Sequence, residues 1–115
     1  MSRAKGNKSE DIVCEILAGL GHSIIGRNYT TRYGELDIIT QKGEKFHIIE
    51  VKSSYGLYGS AQNFNKIKLN RVSKTARIWA MIHDIHESQI QIDLVVLNVT
   101  TRSYQYIKNA NLYFH

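Results

Sequence analysis

The sequence has no proline, a single cysteine, and no acidic residue between Glu50 and Asp84. Without proline or a low-complexity run it offers no linker or disordered tail. Its 115 residues fit one domain, 1–115. One thiol makes no internal disulfide, so Cys14 gives no sign of an oxidising compartment. Cys14 falls on the apolar side of an expected helix and reads as packing. Long hydrophobic runs are also missing. The cleanest, Leu94-Val95-Val96-Leu97, is far too short to span a bilayer. The opening MSRAKGNKSED carries no apolar signal segment. A cytoplasmic protein with no membrane partner is expected.

What is present is a core and a positive charge. Hydrophobic residues make up 43% of the chain, and the formal net charge is +5. The acid-free stretch holds Lys52, Lys66, Lys68, Arg71, Lys74 and Arg77. A run of one sign raises the local potential and suits a polyanion. The plainer reading is the solvated face of a helix.

Hydrophobic spacing lays out the elements. Ile12, Val13, Ile16, Leu17 and Leu20 form one stripe of a helix over 9–20, with Asn7 and Glu10 at capping-box spacing and Gly19 and Gly21 at its end. Residues 22–29, 35–40 and 45–52 read as strands, the last two joined by a turn around Gly43. A glycine-containing loop over 55–63 leads to a second helix over 64–83, whose stripe is Leu69, Val72, Ala76, Trp79 and His83. Residues 90–99 form an apolar strand and 103–108 an edge strand. The order is helix, three strands, helix, two strands: a mixed α/β domain whose central sheet is flanked by helices.

The chemistry concentrates in the hairpin GELDIITQKGEKFHIIEVKSS, residues 34–54. Strand side chains alternate, so Glu50 and Lys52 share a face. A turn centred on Gly43-Glu44 sets Asp37 across from Glu50. Facing carboxylates repel. A divalent cation offsets that best, since one or two carboxylates completed by waters describe a Mg²⁺ site. Lys52 adds a cation one pleat away, suited to positioning a water or stabilising phosphate charge. Glu10 either leans from the first helix toward that metal or closes the capping box. Glu35 reads as a strand-end acid. An ordinary surface ion pair is the bland reading of Asp37, Glu50 and Lys52. Against it, Ile38, Ile39, Ile48, Ile49 and Val51 make both faces apolar, and buried charges need a reason.

An acid in the first helix, then Asp, then Glu-x-Lys on successive strands resembles the PD-(D/E)XK nuclease superfamily, here as Glu10, Asp37 and Glu50-Val51-Lys52. The superfamily's usual leading proline is absent, and Leu36 precedes the Asp. The surrounding text is similar to the YraN-like family of small predicted endonucleases: Gly21-His22, Ile25 to Asn28, Gly34 to Ile39, Ile49 to Lys52, Ile92 to Val95 and Tyr106 to Ala110. The likeness runs from Glu10 to Ala110. It implies a restriction-endonuclease-like core related to Holliday-junction resolvases. It also implies Mg²⁺ or Mn²⁺ on Asp37, Glu50 and Glu10, a catalytic Lys52, and DNA as substrate. Lys66, Lys68, Arg71 and Lys74 are the expected backbone contacts, and a homodimer would set two sites on one duplex. The family often has arginine two residues after the lysine, where this chain has Ser54.

The leading expectation is a metal-dependent endonuclease hydrolysing DNA phosphodiester bonds, with branched DNA one candidate. The alternatives are a non-catalytic nucleic-acid-binding module on the same fold, and a structural protein whose hairpin charges form only an ion pair. His83 and His86 form a pair near the end of the second helix; they read as helix-end residues that complement the dipole, with metal binding the alternative. Asp93 is a lone acid in an apolar strand without an assigned catalytic role. Tyr55 and Tyr58 either pack over the sheet edge or stack on exposed bases. Gln62 is a candidate phosphate contact.

Overall fold

The computed structural model describes residues 8–54 and 65–110. The glycine-containing loop with Tyr55, Tyr58 and Gln62, the aromatic C-terminal segment 111–115, and Asn7 of the expected capping box lie outside the described residues. The order read from the sequence holds: α1 (Lys8–Gly19), β1 (Ser23–Thr31), β2 (Gly34–Lys42), β3 (Lys45–Ser54), α2 (Lys66–Ile82), β4 (Ile90–Asn98) and β5 (Tyr104–Ile107). A short 3-10 turn, Glu87–Gln89, precedes β4.

The strands form one sheet in the order β1-β2-β3-β4-β5. The first three make an antiparallel meander, and β4 then runs parallel to β3. Parallel neighbours need a crossover, and α2 is that connection. Both faces of the sheet are therefore covered. Ile12, Val13 and Leu17 of α1 pack on Ile38, Ile49, Val95 and Leu97. Leu69, Val72, Ala76, Trp79 and Ala80 of α2 pack on Leu36, Ile39, Ile48, Leu94 and Val96. Cys14 is half-buried beside the α1 layer, and burial pushes its thiol pKa up, as suits a packing residue. No helix of the described residues is long and apolar enough to cross a membrane.

Two expected stripe members lie outside the core. Leu20 is exposed because α1 stops before it. Gly21, at φ +93, bonds back to Ala18 O while His22 N–H donates to Leu17 O. That Schellman ending reverses the chain and sends His22, not Leu20, under the helix. His83 is also exposed. It caps α2, its ring tilted over Trp79 at 4.8 Å and its Nδ1 2.8 Å from Trp79 O. His86 caps the 3-10 turn. His83 is a helix-end residue, as its position suggested, whereas His86 lies past the end of α2 and opens the next turn.

Candidate active site in a forked sheet

The turn Gly43-Glu44 joins Lys42 to Lys45, which pair directly, and Gly43 takes φ +61, where glycine carries no steric cost. The register that follows runs to Ile38 opposite Ile49, and there the β2–β3 ladder ends. Yet β2 stays paired with β1 down to Gly34, and β3 stays paired with β4 up to Ser54. The sheet therefore forks between β2 and β3, and the next pair in register is Asp37 and Glu50.

Side chains take over the missing ladder bonds at the crotch. Asp37 N–H donates to Glu50 Oε2 at 3.2 Å, and Val51 N–H donates to Asp37 Oδ2 at 2.9 Å. The two carboxylates thus do not simply confront each other, since each accepts one backbone amide. That offset is partial. Glu50 is only 2% exposed, and its pKa lies well above the ordinary glutamate value. Burial is the largest cause and the charge of Asp37 the next; the Asp37 amide, Lys68 and Lys52 oppose them. Burial likewise raises Asp37, against the Val51 amide, Lys68 and Lys52.

Ile48 belongs to the α2-side core, so alternation turns Glu50 and Lys52 to that side as well. Lys52 is half-buried. Burial lowers its pKa, as do a hydrogen bond with Lys68 and that residue's charge, while Asp37 and Glu50 pull it up. Lys68 is set by the helix cap: the Asn65 side chain accepts its backbone N–H at 3.0 Å. The fork thus collects Asp37, Glu50, Lys52 and Lys68. Lys66, Arg71 and Lys74 are exposed on α2.

Glu10 stands at the mouth from the α1 side. A hydrogen bond between Ser9 Oγ and Ser53 Oγ, 2.7 Å, ties the first turn of α1 to the far end of β3. Arg27 of β1 lies 3.6 Å from Glu10 Oε1 and 2.8 Å from Asp11 Oδ1. Oε1 is buried and has no hydrogen-bond partner. Burial raises the Glu10 pKa, the charge of Asp37 adds to it, and Asn28 and Arg27 oppose. Among the described residues no three His, Cys, Asp or Glu side chains form a group able to hold a metal ion. The oxygen set is a carboxylate pair with one orphaned carboxylate oxygen near it. Two hard carboxylates with waters are what Mg²⁺ takes, so the residues fit such an ion without a third protein ligand. Glu35 is half-buried and accepts from Thr30 Oγ1 at 3.3 Å. Ser54 is buried in the β3–β4 ladder.

Arg27 and Asn28 went unseen in the sequence because their nearness to Glu10 depends on β1. Its pairing slips between Ile24 and Gly26, and Asn28 adopts φ +54. The basic Arg27 opposite two acids of α1 was the available cue. A second set also went unread. On the α1 face His22, Thr40, His47, Asp93 and Tyr106 form a polar row across the sheet. His47 Nδ1 is 2.8 Å from Asp93 Oδ2, and His22 Nδ1 is 2.6 Å from Thr40 Oγ1. Asp93 also accepts from the Tyr106 hydroxyl, from Gln91 Nε2 at 2.9 Å and from Asn109 N–H at 2.9 Å. Burial pushes the Asp93 pKa up, but these donors together outweigh it and the value is lowered. Tyr106 is raised, by burial and then by Asp93.

Two helices sandwiching a mixed sheet that forks at two carboxylates, with lysines alongside, define a three-layer α/β protein with a charged fork in its sheet. The model of "Uncharacterised protein family UPF0102" matches residues 9–99, and the chain belongs to that family. It is 34% identical to a UPF0102 protein of Sulfurimonas denitrificans over 112 residues, 97% of this chain and 100% of that one. A UPF0102 protein of Campylobacter lari is 40% identical over 78% of this chain and 80% of its own. The UPF0102 protein WS0451 of Wolinella succinogenes is 44% identical over 69% and 72%.

Proposed function

We propose that the fork is the active site of a metal-dependent endonuclease of the PD-(D/E)XK superfamily, acting on phosphodiester bonds of DNA. One observation carries the reading: Glu50 is 2% exposed beside a second carboxylate, and its hydrogen bond from the Asp37 amide leaves its pKa well above the ordinary value. The Asp37 amide, Lys68 and Lys52 offset this only in part, and a divalent cation held by both carboxylates would stabilise the ionised form further. Asp37 and Glu50 hold Mg²⁺ or Mn²⁺. Glu10, whose Oε1 is buried without a hydrogen-bond partner, would face the ion from the α1 side and accept from a water bound to it. When bound, the ion supplies Lewis acidity and a water of lowered pKa. Lys52 orients the attacking water and stabilises charge developing on the phosphoryl oxygens. The water oxygen bonds to phosphorus as the ester bond to one sugar oxygen breaks; the water's proton passes to solvent, and the departing sugar oxygen takes one up from solvent. Lys68 keeps positive charge beside the carboxylates, and Arg71, Lys74 and Lys66 hold the nucleic-acid backbone in a salt-dependent way.

The test uses branched, nicked, single-stranded and duplex DNA with Mg²⁺, Mn²⁺ or EDTA, comparing wild type with Asp37→Asn, Glu50→Gln and Lys52→Ala. Cleavage that needs the ion and falls by roughly 100-fold or more in each variant is expected. DNA bound equally with or without ions and never cut makes the protein a binding module instead.

A further inference from the structure

Beside the fork, the β1–β2 hairpin turns through Arg32 and Tyr33, and Gly34 starts β2. A Cβ at Gly34 would stand 3.1 Å from Thr75 Oγ1 and 3.5 Å from the Arg71 carbonyl oxygen. A side chain at this position would meet α2 tightly, so glycine suits the close seat of the hairpin tip. The seat itself is rigid: Thr75 is fully buried and its hydroxyl donates to Arg71 O at 2.8 Å.

Between tip and helix lies an open groove of about 720 Å³. Arg32, Arg71 and Lys74 line it, and no acid does among the described residues. Tyr33 stands in it, 37% exposed, with Lys74 Nζ 4.1 Å and Arg32 Cζ 5.2 Å from the ring centroid. Asp37 is three residues along the same strand from Gly34, about 10 Å away. The groove and the fork thus share one strand and the α2 side of the sheet, about one nucleotide or two apart.

We propose that this groove takes an unpaired nucleotide of single-stranded DNA, next to the bond presented to the fork. Basic grooves with an aromatic platform hold single strands because the cations neutralise phosphates while the ring stacks on a base. Stacking on Tyr33 exchanges its contact with Lys74 for a base and frees that ammonium for a phosphate. Bases of a duplex are stacked on one another and out of reach of a single ring at a hairpin tip. The proposal rests on the nuclease reading only for the fate of the strand, so its test omits the ion.

Fluorescence anisotropy of a labelled oligothymidine in EDTA measures binding by wild type, Tyr33→Phe, Tyr33→Ala and Lys74→Ala. Tyr33→Phe binds like wild type. Tyr33→Ala binds roughly ten-fold more weakly or worse with an unchanged salt slope. Lys74→Ala lowers the salt slope by about one unit. A duplex of equal length shows no loss with Tyr33→Ala. Oligothymidine binding unaffected by Tyr33→Ala overturns the proposal, as does an equal loss on duplex. A protein that binds in this pattern yet never cuts DNA with any ion leaves the groove standing and removes the nuclease reading.

Discussion

Glu50 and Asp93 are both buried acids on neighbouring strands, 2% and 0% exposed, yet they sit in opposite electrical situations. Asp93 collects a histidine, a tyrosine, a glutamine and a backbone amide. Glu50 accepts the Asp37 amide and faces another carboxylate's charge. The pKa of Asp93 is consequently lowered and that of Glu50 raised. Burial is common to both, so the supply of donors decides the outcome. One acid is finished as structure. The other is compensated only in part, by one amide and the charges of Lys68 and Lys52.

That contrast breaks most visibly at Asp93. Asp93→Ala strands four donors in the interior and is expected to cost about 3–5 kcal/mol in urea unfolding. A loss below about 1 kcal/mol would mean the polar row holds nothing together. Next in size is the ion. At a hundred times its dissociation constant, Mg²⁺ or Mn²⁺ stabilises wild type by about 2.7 kcal/mol. The melting temperature of Glu50→Gln stays put under the same conditions, and an equal rise in that variant places the ion elsewhere.

Without metal, Glu50→Gln keeps an acceptor for the Asp37 amide and removes the repulsion. Its stability at neutral pH stays within about 1 kcal/mol of wild type or exceeds it, whereas Asp93→Ala falls far below. The smallest effect is on pH dependence, and the two acids carry opposite signs. Between the ordinary 4.5 and its raised value, Glu50 keeps in the fold a proton that the unfolded chain has released. Metal-free stability therefore falls as pH rises above about 4.5 toward the raised value. Asp93 contributes stability present above its ordinary 3.8 and lost as pH falls through its lowered value. Urea midpoints measured across pH show both flanks, and Glu50→Gln flattens the upper one. An upper flank identical in the variant would sever the link to Glu50.

The hairpin was legible because its information is local. A turn of fixed length sets the register, and alternation sets the faces, so Asp37, Glu50 and Lys52 follow from residues 34–54. The fork was not legible. It depends on β2 and β3 leaving each other for β1 and β4, and no short stretch of sequence encodes that divorce. Lys68 looked like one more basic helix residue until Asn65 fixed where the helix begins. Asp93 looked isolated because its partners come from positions 47, 91, 106 and 109. His47 in an apolar strand was the one cue, since Thr40 lies opposite it in the same register that pairs Ile38 with Ile49.

The two amides at the crotch carry a consequence for how this chain varies over time. Asp37 and Glu50 each spare a strand an unbonded N–H. If the fork is the nuclease site proposed above, a lineage that gave up hydrolysis would still be under pressure to keep an oxygen at both places. Such a lineage drifts to asparagine and glutamine there, not to alanine or valine. The amide-for-acid swap at these two positions is then the fossil of a lost activity, written in residues that the fold itself refuses to discard.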